Sequence, residues 1–168
     1  MSDELVFYTN PMSRGRIVRW MLEEVGRPYR TELVPFGPAM KSPEYRAINP
    51  MGKVPAIRHG EAAVTNKSLA VEVPEARRGM VGYGSFADVM NALEVAVSKS
   101  DYVAGDRFTA ADVYVGAHVG WGLEFGSIEK RPAFERYWKR IGARPAAARA
   151  KEMDDALMAN QKQPAPAS

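Results

Sequence analysis

The sequence predicts an α/β half followed by an all-helical half, and three observations carry that reading. The first 65 residues alternate short β-prone runs with one strongly periodic helical stretch and end in a hairpin-like pair. From Pro74 onward the apolar positions recur only at helical spacing. The chain has 168 residues, 46% hydrophobic and 26% charged. That suffices for an ordinary buried core and excludes disordered, collagen-like and coiled-coil chains.

Leu5-Val6-Phe7-Tyr8-Thr9 is a β-prone run, and Asn10-Pro11-Met12 is a loop. From Ser13 the pattern turns helical, with Ile17, Val18, Met21, Leu22 and Val25 at three- and four-residue steps. Gly26 and then Pro28 end that helix, as a C′ glycine and a following proline do. Tyr29 to Val34 alternates with charged residues and reads as a second strand, parallel to the first because a helix joins them. Pro35 to Ser42 is a loop, Pro43 to Ala47 a short helix, and Asn49-Pro50-Met51-Gly52 a turn. Val54 to Arg58 is a short strand with a proline near its start. His59-Gly60 then makes a hairpin turn, and Glu61 to Thr65 returns as a fourth strand. His59 reads as a plain surface residue of that turn. The order βαβ-ββ is most of a thioredoxin-like half.

In the second half Pro74 suits the first position of a helix, with Glu75 in the favoured first turn. Met80, Val81, Phe86, Val89, Met90, Leu93 and Val97 give that helix an apolar face. Tyr102 to Arg107 is a loop. Thr109 as N-cap and Asp112 at N3 can satisfy two orphan backbone donors reciprocally. The helix they open contains Gly116, Gly120 and Gly122. Interior glycines cost about 1 kcal/mol each, so neighbours must approach it closely. Pro132 and Pro145 open two further helices. The expected organisation is therefore residues 1–65 as the α/β domain, 74–160 as the helical domain and 161–168 as a tail.

Composition narrows the chemistry. There is no cysteine, which removes disulfides, Cys-based zinc sites, CxxC redox chemistry and a Cys nucleophile. Two histidines, His59 and His118, leave little for a metal site or a Ser-His-Asp triad, and no metal is expected. The net charge of +3 comes from scattered basic residues, which points away from nucleic acid. No run of 18 apolar residues exists, so no membrane span is expected. The acidic N-terminus lacks the regions of a secretory signal, and a cytoplasmic location is expected.

Three motifs in this order resemble the cytosolic glutathione transferase family. Phe7-Tyr8-Thr9-Asn10-Pro11-Met12-Ser13-Arg14-Gly15-Arg16 is similar to the first strand and helix of its Ser-type bacterial members. Ile48-Asn49-Pro50-Met51-Gly52-Lys53-Val54-Pro55-Ala56-Ile57 is similar to the segment around its cis-proline, and Tyr102 to Asp112 to the loop and capping box of its central C-terminal helix. Arg131-Pro132-Ala133-Phe134 through Arg144-Pro145-Ala146 fits its final helices. The resemblance spans nearly the whole chain, with one departure. The family continues its fourth strand into an acid-Ser pair, a helix crossing the sheet, a linker and a long helix. Here Asn66-Lys67-Ser68-Leu69-Ala70-Val71-Glu72-Val73 leads straight to Pro74. Roughly 40 residues are missing at typical element lengths. An internal deletion is the reading, through recombination between two similar stretches of a longer ancestor. It removes a helix that covers one face of the sheet. Residues 66–73, the helical half or a second subunit must then cover the gap. The family's usual dimer contact is not expected to survive it, and an exposed patch favours some other self-association.

The resemblance implies glutathione as co-substrate and conjugation of its thiolate to a small hydrophobic electrophile. A free thiol has a pKa near 8.5, so the site must stabilise the anion. Ser13 stands where the first helix begins. By resemblance it is the catalytic hydroxyl that donates to sulfur; by its place alone it is an N-cap, and the two roles are compatible. Asn10 and Arg14 are helpers near the same helix start, whereas Tyr8, on the strand, reads as packed. The resemblance makes the Val54-Pro55 bond cis, with the Val54 backbone pairing to the cysteinyl unit like an added strand. Lys41 and Lys53 are placed at the glycyl carboxylate. Asn66 and Lys67 occupy the positions of the acid-Ser pair that holds the γ-glutamyl end, and Lys67 inverts the charge there. Losing a charged hydrogen bond costs about 1.5–3 kcal/mol, so weak glutathione binding is expected. Tyr114, Trp121 and Phe125 are read as core residues or as lining of the electrophile pocket. The rival reading is a glutathione-transferase-like binding or scaffold module without turnover. Thiol-disulfide exchange is set aside for want of a cysteine.

Overall fold

A computed structural model describes residues 4–59, 62–65 and 86–162. The chain divides into two compact units, Met1–Lys67 with Pro145–Ser168, and Ser68–Arg144. The first is thioredoxin-like with a small mixed sheet; the second is helical.

The sheet is built from β1 (Leu5–Thr9), β2 (Arg30–Leu33), β3 (Ala56–His59) and β4 (Ala62–Thr65), in the order β2-β1-β3-β4. β1 runs parallel to β2, with Phe7 opposite Thr31, and antiparallel to β3, with Tyr8 opposite Ala56. β4 closes the hairpin with β3, Ile57 opposite Val64. As one of two inner strands, β1 buries both of its faces. Side chains alternate across a strand. Val6 and Tyr8 therefore join Val34, Tyr45 and Ala56 in one core. Phe7 faces the other way, edge-on to Tyr29 and 5.1 Å from the guanidinium of Arg19.

Arg19 belongs to α1 (Gly15–Val25), which buries Ile17, Trp20 and Leu22; of the other periodic positions Val18 and Met21 are half-buried and Val25 is exposed. Gly26 ends the helix in the left-handed region (φ 69°), where it returns its N–H to the Leu22 carbonyl. The predicted loop after β2 contains a short 3-10 turn, Pro38–Lys41, followed by α2 (Pro43–Ile48). His59 corrects an expectation. It closes β3 half-buried, opposite Leu5, with Nε2 3.2 Å from Nη2 of Arg27, rather than standing in a surface turn. Pairing to β1 extends the strand past the point where its apolar pattern stops.

The helical unit contains α3 (Phe86–Lys99), α4 (Ala110–Phe125) and α5 (Pro132–Gly142). The capping box at Thr109 and Asp112 is formed, and Asp112 also accepts from Val103 N at 2.8 Å and from the Tyr137 hydroxyl at 2.9 Å. Two of the three glycines of α4, Gly120 and Gly122, are explained by close approach. A Cβ on Gly120 would lie 2.7 Å from the Trp138 ring, and one on Gly122 would lie 2.8 Å from Ile128. Pro132 occupies the first turn of α5, and Pro145 opens α6 (Pro145–Lys162). α6 follows the helical segment in sequence yet packs along α1 within the sheet-bearing unit. Pro74, Glu75, Met80 and Val81 lie outside the described residues, as does the segment read as covering the sheet. No helix among the described residues is long and apolar enough to cross a membrane.

Candidate functional site

The antiparallel pairing of β1 and β3 decides where the candidate residues lie. Tyr8 sits opposite Ala56, so the chain leaving β1 toward Ser13 and the chain entering β3 from Val54-Pro55 share one end of the sheet. Adjacent strands are about 4.8 Å apart.

At that end the β1–α1 loop is shaped by Asn10. Its buried side chain accepts from Met12 N at 3.0 Å and donates to the Val34 carbonyl at 3.3 Å. Its own carbonyl accepts from both the amide (2.9 Å) and the hydroxyl (2.6 Å) of Ser13. The Ser13 oxygen in turn accepts from Gly15 N at 2.9 Å. Ser13 thus satisfies an orphan donor of α1 from one place before the N-cap, which is Arg14 with no side-chain cap of its own. Arg14 is exposed. Gly15 is dictated by crowding, because a Cβ there would come within 1.9 Å of the Thr9 hydroxyl and 2.9 Å of the Ser13 hydroxyl. The first turn of α1 carries no acid of its own to offset its positive end.

Across the gap, Val54-Pro55 is cis, with Pro55 buried and Val54 half-buried. The preceding turn is fixed by Asn49, which is buried and binds Met51 N at 3.1 Å and the Lys53 carbonyl at 2.6 Å. The Tyr45 hydroxyl donates to the same carbonyl at 2.7 Å, and burial holds its phenol above the ordinary range, so it stays a neutral donor. Lys41 is exposed, with Nζ on the carbonyls of Gly52 (2.8 Å) and Met51 (3.4 Å). Two of its three donors therefore hold the turn. Gly52 itself has φ +57°, and a Cβ there would strike the Met40 carbonyl at 2.5 Å. Lys53 is exposed. Asn66 and Lys67 lie outside the described residues.

Ser13, Asn10, Arg14, Lys41, Lys53, Val54 and Pro55 all lie in the sheet-bearing unit. Tyr8 is packed as expected, edge-on to Tyr45. The aromatic residues of α4 are not core. Tyr114 and Phe125 are exposed and Trp121 is half-buried, with the His118 ring tilted against Tyr114 at 4.6 Å between centroids.

Three groups escaped sequence reasoning. Asn49 read only as a turn residue. Gly15 read as one more helix residue, although a glycine two positions after a candidate N-cap is a signal of close approach. Arg16 donates from Nε to the Pro11 carbonyl at 2.8 Å and from Nη2 to Asp155 at 2.6 Å, and no local pattern announces a partner 139 positions away. Among the described residues no cluster of His, Asp or Glu is arranged to hold a metal.

Residues 12–72 match the family model described as glutathione S-transferase, N-terminal domain, and residues 84–145 match the one described as glutathione S-transferase, C-terminal domain. No curated protein matches the chain. Solved structures share its fold at low identity. A glutathione transferase homologue from Sulfitobacter, crystallised with bound glutathione, is 20% identical with a TM-score of 0.67, covering 90% of this chain and 99% of that one. A glutathione S-transferase from Xylella fastidiosa is 16% identical with a TM-score of 0.68 over the same shares. The glutathione transferase URE2P5 from Phanerochaete chrysosporium is 16% identical with a TM-score of 0.71, covering 97% of this chain and all of that one.

Proposed function

The chain belongs to the glutathione S-transferase family, and on that premise we propose that it joins the thiol of glutathione to small hydrophobic electrophiles, with Ser13 as the donor to sulfur. The observation that carries the reading is the hydrogen-bond arrangement of Ser13. Its oxygen is fixed by Gly15 N, while its hydrogen points to the Asn10 carbonyl. A hydroxyl hydrogen rotates to suit its partner. Turning it to a thiolate leaves that carbonyl satisfied by the Ser13 amide, so the exchange is cheap. One charge-assisted bond and the positive end of α1 together can lower a thiol pKa by about one to two units. The thiolate then attacks the electrophilic carbon, the C–S bond forms, the leaving group departs with its electron pair, and the thiol proton goes to water.

The Val54 backbone is the peptide anchor in this reading. Lys53, which is exposed, and the remaining donor of Lys41 are the cationic groups for the glycyl carboxylate, and Arg14, also exposed, stays with Asn10 as a helper at the helix start beside Ser13. Asn66 and Lys67 stand at the γ-glutamyl end, and the inverted charge weakens binding. The shortened middle is an internal deletion, and the protein works in the cytoplasm.

The experiment is conjugation of glutathione to a chlorodinitrobenzene-type acceptor, with Ser13→Ala beside the parent. Turnover above background that falls roughly 10–100-fold in the variant, at about 1.4 kcal/mol per decade, is expected. Equal rates remove Ser13 from the mechanism. A folded protein with no rate above background selects the second reading, a non-catalytic binding or scaffold module, which Asn66-Lys67 in place of an acid-Ser pair favours.

A further inference from the structure

We infer that Arg16 is a positioning residue for the thiolate site and that Asp155, on the last helix, orients it. The inference rests on the reading of Ser13 given above. The loop Asn10–Ser13 is held from two sides. On the sheet side the Asn10 side chain ties it to Val34. On the opposite side the tie is Arg16, whose Nε donates to the Pro11 carbonyl at 2.8 Å. A guanidinium is a rigid planar fork, so fixing its far end fixes its near end. The far end is fixed by α6. Nη2 donates to Asp155 Oδ1 at 2.6 Å and reaches Met158 Sδ at 3.0 Å. Asp155 is in turn held by Lys151, one turn back on α6.

The result is a continuous chain from Lys151 through Asp155 and Arg16 to the Pro11 carbonyl, two residues from the Ser13 hydroxyl. Arg16 is only about one-fifth exposed, which keeps its bonds from being solvated away. A second ion pair between the same helices, Arg149 with Glu23 at 3.1 Å, does not touch the loop and supplies the control. If α6 acted only by docking, breaking either pair would have the same effect. If Arg16 positions Ser13, only the Asp155 pair changes the sulfur chemistry.

The test compares Asp155→Asn, Arg16→Met, Arg16→Lys and Arg149→Met with the parent by two readouts. One is the pH profile of kcat/KM for the acceptor at saturating glutathione, which reports the acidity of bound glutathione. The other is amide hydrogen exchange at Met12, Ser13 and Gly15, which needs no activity. Expected for Asp155→Asn and Arg16→Met is a profile displaced to higher pH, a three- to tenfold lower kcat at pH 7, a glutathione KM changed less than twofold, and several-fold faster exchange at those three amides. Arg16→Lys keeps the charge, loses the fork and falls between. Arg149→Met matches the parent in both readouts. An unmoved profile with unmoved exchange in Asp155→Asn overturns the inference, as does an Arg149→Met variant that behaves like it. If the parent shows no turnover, the transferase reading fails, and the exchange data alone decide: unchanged protection of the loop refutes the positioning role and selective loss supports it.

Discussion

Arg19 of α1 and Asp154 of α6 form an ion pair sealed from solvent, Nε to Oδ1 at 2.8 Å, with side chains 0% and 1% exposed. The guanidinium also reaches the Tyr29 hydroxyl (3.1 Å) and Thr31 (3.2 Å), while Arg19 Nη2 and Asp154 Oδ2 have no partner among the described residues. Burial pushes the Asp154 carboxyl above the usual carboxylate range, and Arg19 pulls it back. Removing one member strands the other, so Asp154→Ala should lose about 3–5 kcal/mol in urea denaturation. Arg19→Met combined with Asp154→Leu should regain most of that loss. A single variant as stable as the parent would show that the pair is dispensable.

Gly15 is fixed by space. Gly15→Ala drives a methyl into the Thr9 hydroxyl, and overpacking of this kind costs about 1–3 kcal/mol. Adding Thr9→Ala removes the closest atom and should recover part of it. A double-mutant cycle by thermal melting measures the coupling, and additivity would place the strain elsewhere.

Asn49 builds the turn that delivers Val54. Asn49→Ala loses its bonds to Met51 N and the Lys53 carbonyl, each worth about 0.5–1.5 kcal/mol. The expected signature is a raised KM for glutathione with kcat nearly kept. Tyr45→Phe should be milder, because Asn49 still serves the Lys53 carbonyl. A fall in kcat at constant KM would contradict the assignment of this turn to peptide binding.

Asn66 and Lys67 are the proposed weak end of the glutathione site. Asn66→Glu with Lys67→Ser restores an acid and a hydroxyl, and should tighten binding by about one to two decades in titration calorimetry. No gain would mean that the γ-glutamyl end is held by other residues.

Tyr137 gives the helical unit an alkaline limit. Burial, then its bond to Asp112, raise its phenol far above the ordinary value of 10.0. The folded state therefore keeps a proton that the unfolded chain releases from about pH 10 upward. Stability from this group is complete below that pH and is lost as the pH climbs toward the folded value. Tyr137→Phe should flatten the fall in melting temperature above pH 10. An unchanged slope would assign the alkaline loss to other groups.

The elements were legible where local chemistry determines them. Apolar spacing placed α1, Gly26 marked its end, Thr109 and Asp112 predicted the capping box, and Pro132 and Pro145 marked two helix starts. Gly120 and Gly122 of α4 signal close neighbours, which are Trp138 and Ile128. The parallel pairing of β1 and β2 was legible from the helix between them, but other long-range pairing was not. His59 joins β3 because β1 lies beside it, and α6 lies along α1 through partners far away in sequence. The motif around Ser13 was visible, but its internal bonding to Asn10 and Gly15 depends on how the loop turns. The exposure of Tyr114 and Phe125 on α4 also escaped, since their spacing fits a buried face as well as an open one.

The split of the sheet-bearing unit across the chain has a consequence for biosynthesis. Arg19 emerges from the ribosome long before Asp154, its partner 135 positions downstream. At about 5–20 residues per second, that delay is on the order of ten seconds. Throughout it, a nascent strand and helix await their counter-ion, so factors that shield emerging chains should engage this protein early and let go only once Asp154 has emerged.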